Sequence, residues 1–153
     1  MLRIAICHDW QPSFEQELTW KDGLAAAVRL LSQRHDVKFF TCGLTNFVLP
    51  HEYFPIHVTT DMKRSVEEFK PDVILTWADL TRSNGKPLSS LGKPMALCFS
   101  GGDTQGENLG LYDHIFVESK SYEDKFKVLG ESVSIAFGTN EELFKPLPEQ
   151  HKI

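Results

Sequence analysis

Several short segments of this chain bring together residue types that can do chemistry on a polar organic molecule. His8-Asp9-Trp10, Asp79, Ser100-Gly101-Gly102-Asp103-Thr104 and Glu118-Ser119 are rich in small, acidic and aromatic residues. His8 or Asp9 could act as a general base toward a hydroxyl, although neighbours at a strand end point apart, and a solvated or hydrogen-bonded loop pair is the plainer reading. Gly101-Gly102 either lets a backbone approach a ligand closely, with free N–H groups holding an anion, or merely makes a tight turn. Trp10 and Trp77 could stack on a sugar or a base; Trp77 continues an apolar run, which favours packing, so Asp79 is the better functional candidate. Lys21-Asp22-Gly23 opens a helix, where a phosphate could rest.

Strands alternating with helices must position these segments. Leu2–Cys7 is an apolar run suited to a strand buried on both faces. Thr19-Trp20-Lys21-Asp22 has the spacing of a capping box, and Leu24, Ala27, Val28 and Leu31 then fall on one helical face. Further strands are expected at Val37–Thr41, Ile56–Val58, Val73–Trp77, Met95–Phe99, Ile115–Glu118 and Val133–Phe137. Helices are expected at Met62–Phe69 and Lys120–Leu129; 46–55 reads as a loop, and 82–93 as a polar connection with little helix. The pattern predicts one α/β domain, a Rossmann-like three-layer sandwich with a mostly parallel sheet. Right-handed crossovers would gather every strand's carboxyl end on one edge, where open parallel sheets bind ligands.

Composition excludes several classes. With 153 residues and 41% hydrophobic content the chain can bury a core without disulfides. The net charge is −5 with acids and bases interspersed, which argues against nucleic acid as a partner. There is no apolar run long enough to span a membrane and no secretory leader, so the expected location is cytoplasmic. Cys7, Cys42 and Cys98 are odd in number and widely spaced, as expected of buried or half-buried thiols in a reducing compartment. The histidines are scattered and no metal site is expected; His35, His51 and His57 receive no role. Neither G-x-G-x-x-G nor a P-loop occurs, which disfavours a dinucleotide or NTP site.

Four stretches, in order, carry a resemblance. Lys21-Asp22-Gly23 with its helix and Arg34-His35-Asp36-Val37 is similar to a "G-G, helix, R-G-H-x-V" opening. Phe69-Lys70-Pro71-Asp72-Val73-Ile74 is similar to "K-P-D-V-I", and the stretch from Tyr112 to Tyr122 to "D-x-I-x-x-x-S". The stretch from Phe137 to Pro146 is similar to "N-G-V-D-x-x-x-F-x-P". Together they resemble the N-terminal domain of a GT-B-fold glycosyltransferase of the group 1 (family 4) type.

The resemblance implies an acceptor-side domain over residues 1–146, with 147–153 beginning an interdomain linker or tail. It implies a missing C-terminal Rossmann-like domain that binds the nucleotide-sugar donor, so this domain alone would hold no cofactor and be inactive. Asp22, Gly23, Ser100, Gly101, Gly102 and Thr104 would then lie near the donor phosphates or acceptor cleft. His8, Asp9, Trp10, Asp79, Glu118 and Ser119 would line the cleft for a glycan or small-molecule acceptor. Gly138, Thr139 and Asn140 would face the partner domain. Members often carry a histidine where this chain has Ser100–Asp103, so Asp103 is the stand-in as catalytic residue. Asp22 also replaces the second glycine of the opening pair, and its charge must point away from a diphosphate. The alternatives are a flavodoxin-like binding module or a degenerate GT-B domain serving as a binding scaffold.

Overall fold

A computed structural model describes residues 1–8, 28–50, 54–77, 85–99, 109–129 and 131–135. Among these residues eight strands form one sheet: β1 (Arg3–His8), β2 (Asp36–Cys42), β3 (Phe47–Leu49), β4 (Ile56–Thr59), β5 (Val73–Trp77), β6 (Met95–Phe99), β7 (His114–Val117) and β8 (Val133–Ile135). Their order is β3-β4-β2-β1-β5-β6-β7-β8, and every pairing is parallel except β3 with β4. This is the expected Rossmann-like α/β architecture. β3 corrects one expectation, because it lies inside the stretch read as a loop. Phe47-Val48-Leu49 is too short to show a strand period, and only its pairing to Val58, His57 and Ile56 makes it one.

Alternation along the strands sends side chains to two separate cores. From β1, Ile4 and Ile6 join Val28, Phe39, Phe54, Ile56 and Val58 on one face. Ala5 and Cys7 join Phe40, Val66, Phe69, Ile74, Leu97, Ile115 and Phe126 on the other. The helical residues 28–32 cover the first face through Val28 and Leu31. The helices Met62–Phe69, Gly85–Ser89 and Lys120–Val128 lie over the second. A sheet covered on both faces explains why its strands read as near-continuous apolar runs rather than alternating ones.

Two aspartates of the family-like phrases turn out to hold the sheet's amino edge. Asp72 accepts the Arg3 amide on Oδ2 at 2.8 Å, and its own amide donates to the Arg3 carbonyl at 2.8 Å. Asp113 repeats the arrangement with Met95, again at 2.8 Å in both directions. Each aspartate thus satisfies the first N–H of the neighbouring strand, a group that would otherwise lack a ladder partner. In these phrases the acid is structural.

Helix Met62–Phe69 is capped at both ends. Asp61 accepts the Arg64 amide at 3.0 Å, and Lys70 closes the helix in the left-handed region at φ 54°. A residue with a Cβ is strained there, whereas glycine is not. Lys70→Gly is therefore expected to raise stability by about 0.5–1 kcal/mol, with the added flexibility of the unfolded chain offsetting part of the relief. A shift of the urea midpoint to lower denaturant would refute it.

No disulfide links Cys7, Cys42 and Cys98, as their spacing led one to expect. Burial pushes the Cys98 thiol up to about 12, and burial with Cys42 nearby raises Cys7 further. The folded thiols stay protonated where the unfolded chain ionises, so their contribution is intact below about pH 9 and is lost as pH rises from there toward about 12. Urea midpoints measured from pH 8 to about pH 10.5 should fall less steeply for Cys98→Ala than for the wild type. Equal slopes would exclude the mechanism.

Candidate functional site

The strand order fixes where a cleft can form. After β1 the chain moves toward β2 and β4; after β5 it moves the other way, toward β6, β7 and β8. β1 and β5 are adjacent and in register, with His8 opposite Trp77. Connections that diverge above two neighbouring strands leave a crevice between them, the place where open α/β sheets bind their ligands. His8 and Trp77 end their strands at its floor.

The rest of the carboxyl edge follows from the register. Trp77 lies opposite Cys98, Cys98 opposite Phe116, and Phe99 opposite Val117. The described ends of β1, β5, β6 and β7 therefore lie at nearly one level. Polarity gathers there too. Among the described residues the buried polar ones, His8, Thr41, Thr59 and Thr76, all lie at the last or next-to-last position of their strands. A core buries polar side chains at a cost unless they are bonded, so their concentration at one edge sets that edge apart. Thr76 is satisfied by donating from Oγ1 to the Ala96 carbonyl at 3.2 Å, and Thr59 by a 2.7 Å hydrogen bond to Ser65 Oγ.

Three of the residues expected in the site are described: His8, Glu118 and Ser119. His8 is the last residue of β1, 3% exposed, with its ring stacked on Phe39 at 6.5 Å between centroids. This corrects the expectation of a solvated or hydrogen-bonded loop residue only as to the loop: register with β2 and β5 carries the strand one residue further than the apolar run does. Glu118 is exposed immediately after β7. His8 and Glu118 stand three strands apart along the edge, about 14 Å between backbones at ordinary strand spacing. Ser119 has a structural task, since it is the N-cap of helix Lys120–Val128 and its hydroxyl accepts the Tyr122 amide at 3.5 Å. The capping signal was legible as Ser followed at three and four residues by Tyr122-Glu123, but the cleft reading passed over it.

The remaining candidates lie outside the described residues: Asp9, Trp10, Asp22, Gly23, Asp79, Ser100, Gly101, Gly102, Asp103, Thr104, Gly138, Thr139 and Asn140. So do 136–153, on which the domain boundary at 146 rests. The described strand ends nonetheless fix where several of these segments start, at Trp77 and Phe99 on the edge beside His8. Among the described residues no cluster of three or more acidic, His or Cys side chains could hold a metal ion. Among them, too, no helix is long and apolar enough to cross a membrane.

No protein-family model matches this chain, and no curated protein matches it by sequence. Solved structures do. The UDP-GlcNAc 2-epimerase from Methanocaldococcus jannaschii superposes with a TM-score of 0.60 at 13% identity, over 88% of this chain and 45% of the epimerase. The glycosyltransferase GlyE of Streptococcus pneumoniae TIGR4 aligns over 84% of this chain and 32% of its own, at 13% identity and a TM-score of 0.44, too loose to build on. The first likeness shows a fold, a Rossmann-like α/β domain. The chain spans less than half the length of either structure.

Proposed function

We propose that this chain is the acceptor-side N-terminal domain of a nucleotide-sugar-dependent glycosyltransferase of the group 1 (family 4) type, inactive without a donor-binding domain. The observation that carries this reading is the switch point between β1 and β5, where His8 and Trp77 end their strands side by side. The segments after these strands and β6 hold the small, acidic and aromatic residues that suit a glycan or small-molecule acceptor. The four ordered phrases support the family, and the length relative to the epimerase is compatible with one domain of a larger enzyme.

In this reading the residues after β6, Ser100 to Asp103, face the donor sugar that the partner domain holds. Asp103 takes the catalytic position, and Asp22-Gly23 lie near the donor phosphates. The reaction would transfer a hexose from a nucleotide-sugar to the acceptor, in the cytoplasm, in the cleft between the two domains.

The test has two arms. The downstream reading frame is sequenced, and the protein is titrated with acceptor glycans, UDP-sugars and FMN while amide resonances are followed. Expected are a second Rossmann-like domain in frame or in a partner gene, and saturable glycan shifts around His8 and Trp77. Binding of FMN alone, or a frame and genome without such a domain, refutes the transferase reading.

A further inference from the structure

A second candidate site lies on the sheet's face rather than at its edge. Alternation puts Arg3 of β1, Lys38 and Phe40 of β2, and His57 and Thr59 of β4 on the same side as helix Met62–Phe69. That helix packs against β1 and β2 through Met62, Val66 and Phe69, and among the described residues the surface over β4 and β3 is left open. The result is a solvent-open groove of about 460 Å³, floored by Lys38, Phe40 and His57 and walled by Val48 and Phe69.

Its charges are unbalanced. The Arg3 guanidinium carbon lies 4.5 Å from the Phe69 ring centroid, and Lys38 Nζ lies 5.0 Å from the same centroid. Two cations held against one ring repel each other and gain from an anion placed near both. Arg3 already has one, Asp36, at 3.2 Å. Glu68 at the rim is turned to Arg64, at 2.9 Å. Among the described residues Lys38 has no carboxylate within ion-pair distance. His57 packs on Phe40 with 5.5 Å between centroids, and burial together with Lys38 holds its pKa below the usual imidazole value. The groove thus carries one unspent positive charge on a chain whose net charge is −5.

We infer that this groove binds a small organic anion, a phosphate ester or carboxylate whose charged group meets Lys38 while its apolar part lies on Phe40 and Val48. His57 at the floor gains a proton as the anion arrives, because the groove then holds a negative charge as well as Lys38, Arg3 and Glu68. The site is independent of the transferase reading: it lies on the sheet's face, away from the crevice at the strands' carboxyl ends.

The test uses phenyl phosphate, with inorganic phosphate and phenol as separate arms, at constant ionic strength. Amide and imidazole resonances are followed by NMR. Saturable shifts at Lys38, Val48 and His57 are expected, with phenyl phosphate binding at least tenfold tighter than either fragment and the His57 titration midpoint moving upward in its presence. Lys38→Met keeps the stem on Phe69 and removes the charge; it should weaken binding at least tenfold, and Lys38→Arg should restore most of it. Shifts that never saturate, or that spread evenly over all basic residues, overturn the proposal. So does unchanged affinity in Lys38→Met. If that variant does not fold, Lys38→Gln gives the same reading.

Discussion

Phe126→Ala is expected to cost about 3–5 kcal/mol, a large part of the roughly 5–15 kcal/mol that holds a domain of this size together. Phe126 is fully buried and joins helix Lys120–Val128 to the sheet. Its ring meets Phe99 edge-on at 5.3 Å and lies parallel to Tyr122 at 6.3 Å; Phe99 and Tyr122 meet edge-on at 5.1 Å. Alanine would leave a cavity beneath β6 and remove two contacts from this three-ring cluster at once. Phe126→Leu keeps most of the volume and should cost about 1–1.5 kcal/mol. Urea unfolding of the three proteins measures both differences. A loss below 1 kcal/mol for the alanine variant would mean that the helix settles into the gap.

The second large effect is expected at Gly43, where β2 ends. Its amide donates to the Thr59 carbonyl at 2.9 Å, which draws the backbone against β4. A Cβ added there would overlap Val58 Cγ1. Val58 is 4% exposed within the first core, so it cannot swing away freely. Gly43→Ala should therefore cost about 1–3 kcal/mol through overpacking. Val58→Ala removes the obstructing methyls, and the double variant should be more stable than the two single losses summed, by about 0.5–3 kcal/mol of coupling. Strict additivity would show that the strain is relieved by the backbone instead.

Much of the sheet was legible residue by residue. Apolar runs such as Ile4-Ala5-Ile6-Cys7 and Met95-Ala96-Leu97-Cys98-Phe99 mark strands covered on both faces, and the structure ends them within a residue of expectation. Asp61 before Met62 and Ser119 before Lys120 are local stop-and-start chemistry, readable because a cap depends on residues three positions away. The candidate site was legible only as an edge. Which segments share it depends on strand order, and His8's burial is not written in the residues that flank it.

Determined by the sequence alone were the alternation of strands and helices, the parallel class of the sheet and the absence of a disulfide framework. These follow from local periodicity and from residue chemistry within a turn or two. Tertiary structure alone decided the rest. β3 exists because β4 offers it an antiparallel partner, and the crevice exists because the order reverses between β1 and β5. Lys38 and His57 share a groove because β2 and β4 pair in a register that sets Phe40 opposite His57. Pairing between strands distant in sequence is set by how the two cores fill, and no window of neighbouring residues encodes it.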